Sequence, residues 1–278
     1  MARKKKQEEK KEAEQKTKEE VPAEQEEEIV KAEEIVAAEE AVEKPIHKID
    51  VSLWKPKTSL GRRVKDGTVT DIHTIFESGD RILESEIIDV LLHNYETDLL
   101  NIGQSKGKFG GGKRRVFRQT QKKTKEGNKP KFATMAIIGN KDGFIGYGYD
   151  KAKETVPARE KAFRRSKLNV MMIRRGCGSW LCNCKTPHSV PFTVEGRCGS
   201  VHIKLIPAPK GTGLCAEKEC AKILRLAGIK DVWTKTQGQT GTKINLVHAT
   251  FDALRKLSIT KLQAKDWETL SIVEGVIK

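Results

Sequence analysis

The chain has 278 residues, of which 37% are hydrophobic, and 53 Lys/Arg against 38 Asp/Glu give it a formal net charge of +15. That hydrophobic share can fill the cores of one large domain or two ordinary ones, which excludes a wholly disordered chain. No run of eighteen apolar residues occurs and the first residues are charged throughout, so we expect a protein that neither spans a membrane nor is exported.

The charge is unevenly distributed along the chain. Residues 1–44 carry a net charge of −5, which leaves +20 for residues 45–278. A folded body this basic repels itself unless it binds a polyanion, so nucleic acid is the leading partner and an anionic membrane surface is the alternative. We interpret residues 1–44, which consist mainly of Glu, Lys, Ala and Gln, as a disordered acidic/basic tail.

The next segment, residues 45–103, is predicted to contain short helices. Trp54 is its first large side chain available for burial. Ser85 is expected to cap a helix in which Ile87 to Leu92 place apolar residues at helical spacing. Nothing in this segment indicates catalysis.

A strongly cationic hairpin is predicted within residues 104–132, which hold eleven Lys/Arg and a single acid, Glu126. A solvated loop is the alternative, but the density of one charge sign and a Gly-rich approach favour contact with phosphates rather than base reading. The cations of this stretch that we assign to RNA binding are Arg114, Arg115, Arg118, Lys122, Lys123, Lys125, Lys129 and Lys131.

Three glycines follow, Gly143, Gly146 and Gly148, whose spacing is the reverse of the dinucleotide-binding fingerprint. They indicate a tight turn at residues 140–143 and an edge strand at residues 144–149 rather than a nucleotide site. A basic helix is expected to start near Pro157, because the residue before a proline is biased away from helix.

The C-terminal half predicts two strands around a glycine turn, a helix stopped by Gly228, and a second helix capped by Asn245. Before the first helix, "PAPKGTGL" places Lys210 and glycines where helix N-terminal amides could hold an anion. A close turn between sheet and helix explains the same residues equally well. In the extension 258–278, Trp267 belongs either to a contact with a neighbour or to an amphipathic tail.

Between the two halves, "RRGCGSWLCNCKTPHSVPF" holds four candidate metal ligands at the spacing C-x4-C-x-C-x3-H. Four soft or borderline ligands fit a closed tetrahedral zinc site, and Gly176, Gly178 and Pro187 would supply the bends of a tight ligand loop. Buried or spectator thiols are one alternative. A Cys-His nucleophile is another, but no orienting acid is evident in the sequence. The proposed ligands of one structural zinc ion are Cys177, Cys182, Cys184 and His188.

Several stretches together resemble the ribosomal small-subunit protein S-five family in its archaeal and eukaryotic form, which is called S-two in eukaryotes. They include "TKEGNKPKFATMAIIGNKDGFIGYGYDKAKE", "KLNVMMIRRGCGSW", "PHSVPFTVEGRCGSVHIKLIPAPKGTGL" and "LAGIKDVWTKTQGQT". The cysteine cluster is similar to that of archaeal members. The tail, the insertion "GKFGGGKRR" and the C-terminal extension depart from the common pattern.

The resemblance implies an α+β fold. A double-stranded-RNA-binding-like domain at 104–173 would be joined by the Cys/His linker loop 174–192 to a βαβ-type domain at 193–257 with a left-handed crossover. The implied RNA-contacting residues include the hairpin loop, Lys122 to Lys131, and the interdomain pair Arg174 and Arg175. No reaction is implied, so we expect a protein that is not an enzyme.

The same resemblance implies a structural constituent of the small ribosomal subunit in the cytoplasm. It would bind ribosomal RNA near the decoding region and the messenger RNA entry channel, contact proteins S-four and S-eight, and support translational accuracy. A free-standing double-stranded-RNA-binding regulator is the alternative, since it would need the same hairpin. A phosphotransferase would need a phosphate loop and metal-binding carboxylates, and neither is evident.

Overall fold

The computed structural model describes residues 54–92, 94–104 and 114–276. The predicted tail 1–44 and the Gly-rich residues 105–113 lie outside these ranges.

The helices are α1 Ser59–Lys65, α2 Ile72–Ser78, α3 Glu86–Leu91, α4 Thr155–Leu168, α5 Lys218–Leu226, α6 Lys243–Ile259 and α7 Ala264–Thr269. The strands are β1 Glu96–Leu99, β2 Arg118–Thr124, β3 Gly127–Gly139, β4 Phe144–Ala152, β5 Val170–Met172, β6 Arg174–Arg175, β7 Val194–Cys198, β8 Val201–Pro207, β9 Leu214–Cys215, β10 Val232–Gln237 and β11 Val273–Glu274. Within the described ranges, none of these helices has the length and apolar character needed to cross a bilayer.

The short helices α1 to α3 form a small cluster at the start of the described chain. The Thr58 hydroxyl caps α1 by accepting from the Gly61 amide at 3.0 Å. Trp54 is buried, as predicted, and its indole donates to Glu84 at 3.0 Å. Ser85 occupies the N-cap position of α3, but its side chain makes no capping hydrogen bond, so the predicted cap is wrong although the helix forms.

The first sheet has the order β1-β3-β4-β5, and β2 pairs with the first half of β3. The predicted hairpin is therefore confirmed. Strand β1 was not predicted, because residues 96–99 lack an apolar alternation and depend on antiparallel pairing with the end of β3. The prediction of an edge strand at residues 144–149 is wrong for its first part, since Ile145 and Gly146 pair with β5 as well as with β3.

The glycines of β4 let α4 lie directly on the sheet. A Cβ at Gly148 would come within 2.2 Å of the Ala162 carbonyl oxygen, and one at Gly146 within 2.3 Å of that of Ser166. Ile145 and Tyr147, which alternate with these glycines along β4, face the opposite side of the sheet, where the larger core lies. These glycines thus serve helix packing, and the helix begins at Thr155, two residues before the predicted start.

A buried ion pair joins α4 to α3. Lys167 Nζ lies 2.6 Å from Asp89 Oδ1, and both side chains are less than 10% exposed. The Tyr95 hydroxyl donates to the same carboxylate at 2.5 Å. The pair fixes the helical cluster against the first sheet.

We expect Lys167→Met to destabilise the protein by about 3–5 kcal/mol, because it leaves the Asp89 carboxylate buried without its cation. Urea unfolding would measure the change. Lys161→Met, on the exposed face of the same helix, is the matched control and should shift stability by no more than about 0.5 kcal/mol. Equal effects of the two substitutions would contradict this role of the pair.

The second sheet has the order β7-β8-β10-β9. Strands β9 and β10 run parallel and are joined by α5, so the predicted βαβ connection is present. Gly228 follows α5 with φ +83°, as a helix stop requires. The cap predicted at Asn245 is wrong: Thr242 is the N-cap residue of α6, it makes no side-chain cap, and Asn245 lies inside the first turn.

One core connects the two sheets. It includes Met135 and Ile137 of β3, Ile203 and Leu205 of β8, and the buried face of α6 with Leu254. The carboxylate of Glu219 on α5 also accepts from the Asn101 backbone amide at 3.0 Å.

The C-terminal extension packs on its own chain. Strand β11 pairs antiparallel with β6, so that Val273 lies opposite Arg175. The Arg174 guanidinium lies over the Trp267 ring, 5.5 Å from the ring centroid. Ile272 is buried. The sequence left two alternatives for Trp267, a contact with a neighbouring molecule or a free amphipathic tail. In the structure the residue instead packs against Arg174 of its own chain.

Candidate nucleic-acid interface and metal centre

The hairpin projects its cations into solvent. Strand β3 is exposed from Gly127 to Lys131 and buried from Ala133 onward, so the distal half of the hairpin extends beyond the core. A two-residue turn, Lys125 and Glu126, joins Thr124 to Gly127. The hairpin cations assigned to RNA binding, including Lys123 and Lys125, are all exposed.

The register places four of these cations on one face. Residues directly opposite each other in an antiparallel pair point to the same side. Lys122 lies opposite Lys129, Thr120 opposite Lys131, and Arg118 two positions from Thr120. Arg118, Lys122, Lys129 and Lys131 therefore share one face, hereafter the cationic face, whereas Lys123 lies on the other.

Two like charges directly opposite each other destabilise a hairpin. Lys122 and Lys129 form such a pair. The adjacent acid, Glu126, forms an ion pair with Lys129 at 2.7 Å, in which both side chains are mostly exposed to solvent. A bound polyanion would remove the repulsion, which makes a row of phosphates the ligand that this face fits best.

Arg114 and Arg115 lie at the base of the hairpin and are exposed. The Arg114 guanidinium donates to the Gly241 carbonyl oxygen at 2.9 Å, so it reaches the loop before α6. The Arg115 carbonyl oxygen accepts from the Gly103 amide at 2.8 Å, which fixes the start of the hairpin.

The interdomain pair is used inside the protein. Arg175 is 3% exposed and its guanidinium donates to the carbonyl oxygens of Gly275 at 2.8 Å and Lys141 at 3.3 Å. Arg174 is bonded to Glu274 and to the Thr260 carbonyl oxygen. The structure thus places both residues in the packing of the C-terminal extension and does not expose Arg175 to a ligand.

Lys210 is exposed, but the glycine amides beside it are already occupied. The amides of Gly211 and Gly213 donate to Asp231 Oδ1 at 3.1 and 2.8 Å. The loop also leads into β9 rather than directly into a helix. Of the two readings of "PAPKGTGL", the structure therefore supports a structural turn, with the protein's own carboxylate in the place of an external anion.

The four candidate metal ligands converge. The Sγ atoms of Cys177, Cys182 and Cys184 and a ring nitrogen of His188 all lie within 4.8 Å of one another. Cys177 Sγ is 3.6 Å from Cys184 Sγ, and Cys182 Sγ is 3.8 Å from His188 Nε2. The sequence spacing thus identified a real three-dimensional cluster.

Backbone contacts hold the ligand loop in place. Gly176 and Ser189 exchange two hydrogen bonds of 2.9 Å, and the Cys177 amide donates to the Leu270 carbonyl oxygen of the C-terminal extension at 2.8 Å. The glycines do not supply bends as predicted: a Cβ at Gly178 would lie 1.9 Å from the Pro191 carbonyl oxygen, so this residue permits close approach. The left-handed residue of the loop is Lys185, with φ +51°.

Asp231 lies behind His188 and was not predicted from the sequence. Its Oδ2 is 2.8 Å from His188 Nδ1, and both side chains are about 95% buried. The contact is close although its angle is not that of a regular hydrogen bond, and it favours a proton on Nδ1 with Nε2 facing the thiols. No local pattern could reveal Asp231, which is separated from His188 along the chain by three strands and a helix.

The contact also supplies the orienting acid that the sequence did not show for a Cys-His nucleophile. A nucleophilic pair would consist of one thiol and His188, whereas here the thiols of Cys177 and Cys184 lie beside that of Cys182. Four convergent ligand atoms with a carboxylate behind the histidine are typical of a structural metal site.

The thiols of the cluster differ in acidity. Burial raises the pKa of Cys177 to about 11. A hydrogen bond from the Thr186 hydroxyl, 3.1 Å from the sulfur, lowers the pKa of Cys184 to about 6. The thiolate is the form that binds metal. At neutral pH a metal ion must therefore displace the proton of Cys177, whereas the thiol of Cys184 is already largely ionised.

We expect Asp231→Asn to weaken metal binding by about 10- to 100-fold, because the amide nitrogen would face the Nδ1 proton of His188. The remaining amide oxygen can still accept from Gly211 and Gly213, so the turn should persist. Competition with a chelator of known affinity would measure the change. Asp80→Asn, at a surface pair with Arg63, is the control, and an equal loss in both variants would contradict the role of Asp231.

Two family profiles match the chain. The one described as "Ribosomal protein S5, N-terminal domain" matches residues 103–174, and the one described as "Ribosomal protein S5, C-terminal domain" matches residues 196–266. The first match contains the hairpin and α4, and the second contains the βαβ unit and α6.

Curated relatives named "Small ribosomal subunit protein uS5" are similar over most of the chain. The relative from Nanoarchaeum equitans is 49% identical over 215 residues, which cover 77% of this chain and 92% of the relative. The one from Methanocaldococcus jannaschii is 43% identical over 82% of this chain and 98% of its own length. That from Pyrobaculum calidifontis is 46% identical over 77% and 98%. With both profiles matched and identities this high, the chain belongs to the ribosomal protein S-five family, in its archaeal-like form.

Proposed function

We propose that this protein is a structural constituent of the small ribosomal subunit that binds ribosomal RNA. Its relatives are named as components of that subunit at up to 49% identity. The observation that carries RNA binding is the cationic face of the hairpin, where Lys122 and Lys129 lie opposite each other without a buried counter-charge. Family membership also indicates a structural protein and not an enzyme.

The proposal includes the position of the protein within the small subunit. We place it near the decoding region and the messenger RNA entry channel, in contact with proteins S-four and S-eight, in cytoplasmic ribosomes. This position is supported by the S-five resemblance alone. A domain division at 104–173 and 193–257 is supported by the two profile matches, which cover nearly the same ranges.

Sedimentation tests the proposed role. In a lysate fractionated on a sucrose gradient, the protein should run with the small subunit and with whole ribosomes in a one-to-one ratio to another small-subunit protein. A free-standing RNA-binding regulator would instead remain mainly in the light fractions, and that result would overturn the assignment. For the role in accuracy, substitutions on the surface facing protein S-four should change stop-codon readthrough without loss of assembly.

We further propose that the four-ligand cluster holds one zinc ion. Zinc binds sulfur at about 2.3 Å with tetrahedral geometry, so neighbouring sulfurs should lie about 3.8 Å apart. The Cys177–Cys184 Sγ distance of 3.6 Å fits that requirement. For sulfur and a histidine nitrogen bound at about 2.0–2.1 Å the expected separation is about 3.6 Å, which the 3.8 Å between Cys182 Sγ and His188 Nε2 approaches. Three thiols and an imidazole leave no open position, so the ion would stabilise the loop rather than catalyse a reaction.

The zinc ion would connect three parts of the chain. His188 contacts Asp231, which binds the amides of the loop at Gly211 and Gly213. Cys177 is bonded through its amide to Leu270 in the C-terminal extension. Metal binding would therefore lock the linker loop against both the βαβ domain and the extension, and acidification should release the ion because the ligands must be deprotonated.

A further inference from the structure

A groove of about 710 Å³ lies away from both the hairpin and the Cys/His cluster. Residues 80–82 after α2 and residues 168–171 at the end of α4 form one wall, and β7 and α6 form the other. Its volume is in the range of sites that bind small organic ligands.

The floor of the groove is aromatic. Tyr147 of β4 stacks on Phe251 of α6 with a centroid distance of 4.2 Å, and His248 lies edge-on to Tyr147 at 5.4 Å. All three residues line the groove. Aromatic side chains of this kind are the platforms on which unpaired bases stack in proteins that bind single-stranded RNA.

The rim of the groove is cationic. Arg81, Arg197 and Arg255 are exposed, and within the described ranges no carboxylate lies within 4.0 Å of any of their guanidinium groups. The two acids of the groove are already engaged. Asp80 pairs with Arg63 at 3.3 Å, and Asp252 pairs with Lys256 at 2.9 Å. Arg197 Nε donates to the Gly199 carbonyl oxygen at 3.2 Å, which holds this side chain at the rim. Three guanidinium groups without a carboxylate partner around an apolar floor leave the groove suited to an anion with an aromatic part.

The floor also offers polar atoms without partners. Among the described residues, neither the Tyr147 hydroxyl nor the ring nitrogens of His248 make a hydrogen bond. Burial lowers the pKa of His248, so the imidazole is neutral near pH 7 and presents one donor and one acceptor. Such a pair can meet the hydrogen-bonding edge of a base, whereas a bare phosphate would use only the rim.

We propose that this groove binds one unpaired nucleotide of a single-stranded RNA segment, with the base against Tyr147 and His248, which the buried Phe251 supports from behind, and the flanking phosphates at Arg81, Arg197 and Arg255. The inference rests on the proposed function in that the ligand is RNA. It adds a second contact that reads an unpaired strand, separate from the cationic face of the hairpin, which binds phosphates of any sequence.

Fluorine NMR of the full chain tests the proposal. The protein has three tyrosines, so labelling with 3-fluorotyrosine gives three signals, and Tyr147→Phe assigns the one from the groove. A single-stranded RNA hexanucleotide of mixed sequence should shift the Tyr147 signal. The signal of Tyr95, whose hydroxyl is bonded to Asp89 in the helical cluster, should stay in place.

Two sets of variants separate the groove from the hairpin. Replacing Arg81, Arg197 and Arg255 by Gln should abolish the Tyr147 shift and lower the salt dependence of hexanucleotide binding, by about 0.7 in the log-log slope for each phosphate that is no longer neutralised. Binding of a blunt-ended duplex RNA should be unchanged. Replacing Lys122, Lys129 and Lys131 by Gln should have the opposite effects. Duplex binding should weaken, and the hexanucleotide should still shift the Tyr147 signal.

The outcomes distinguish the two ideas. If the hairpin variant lost binding to both RNAs while the arginine variant bound both as the wild type does, the groove proposal would be overturned and the proposed function would stand. A Tyr147 signal that does not move with the hexanucleotide, or that moves equally with inorganic phosphate or with the duplex, would also overturn it. Wild-type protein that binds neither RNA would instead contradict the proposed function itself. Thermal unfolding of the arginine variant should match the wild type, because the three side chains are exposed.

Discussion

Cys182→Ser is expected to cost the protein its metal ion and the order of the linker loop. Zinc binding contributes on the order of 10 kcal/mol in small zinc modules. The ends of the loop are held by backbone hydrogen bonds, but its middle has little packing of its own, since Trp180 is 90% exposed and Leu181 is 55% exposed. Protein purified under reducing conditions without added zinc should carry about one zinc ion per chain. Both Cys182→Ser and His188→Ala should carry none.

The consequence should appear first in the loop and its contacts. Amide hydrogen exchange should speed up at residues 177–188, and then at residues 270–275, because Cys177 is bonded to Leu270. Cys215→Ser is the matched control, since Cys215 is exposed and lies outside the cluster. Metal-free wild-type protein with a protected loop that still enters the small subunit would show that these residues are ordinary thiols.

Removing charge from the cationic face should weaken binding to RNA duplexes of any sequence. With Lys122, Lys129 and Lys131 replaced by Gln, the log-log salt slope should fall by up to about 0.9 for each phosphate that the variant leaves without a cation. Filter binding to a mixed-sequence duplex over a series of KCl concentrations would measure it. Because no base edges are read, the weakening should be similar for unrelated sequences.

The opposite face of the same hairpin provides the control. Lys123→Gln removes one charge from a residue that points away from those three lysines, so its effect on the salt slope should be less than a third of that of the triple variant. Removing the repulsion between Lys122 and Lys129 should leave the free energy of unfolding unchanged or raise it by about 0.2–1 kcal/mol. Equal salt slopes for the wild type and the triple variant would exclude the cationic face as the phosphate-binding surface.

The sequence alone determined the features that depend on neighbours along the chain. The hairpin followed from strand alternation around a short polar turn. The ligand cluster followed from four residues within twelve positions, since so short a loop can bring its own side chains together. The apolar face of α6 followed from helical spacing, and Leu246, Ala249 and Leu254 are indeed buried.

Tertiary structure decided the features that join distant parts of the chain. Asp231 reaches His188 through the packing of the βαβ domain, and Arg175 is buried by a C-terminal extension that begins more than eighty residues later. Neither predicted helix cap forms: Ser85 occupies the N-cap position of α3 without a side-chain capping bond, and Asn245 lies inside the first turn of α6.

The face on which each lysine lies needed the strand register as well. Composition shows how many cations the hairpin holds, but a shift of one residue would move each side chain to the other face. The two-residue turn at Lys125 and Glu126 fixes that register and brings Lys122 opposite Lys129. The sequence therefore determined which residues are available to bind, whereas long-range pairing decided which of them act together, because contacts between distant residues form only when the whole chain is folded.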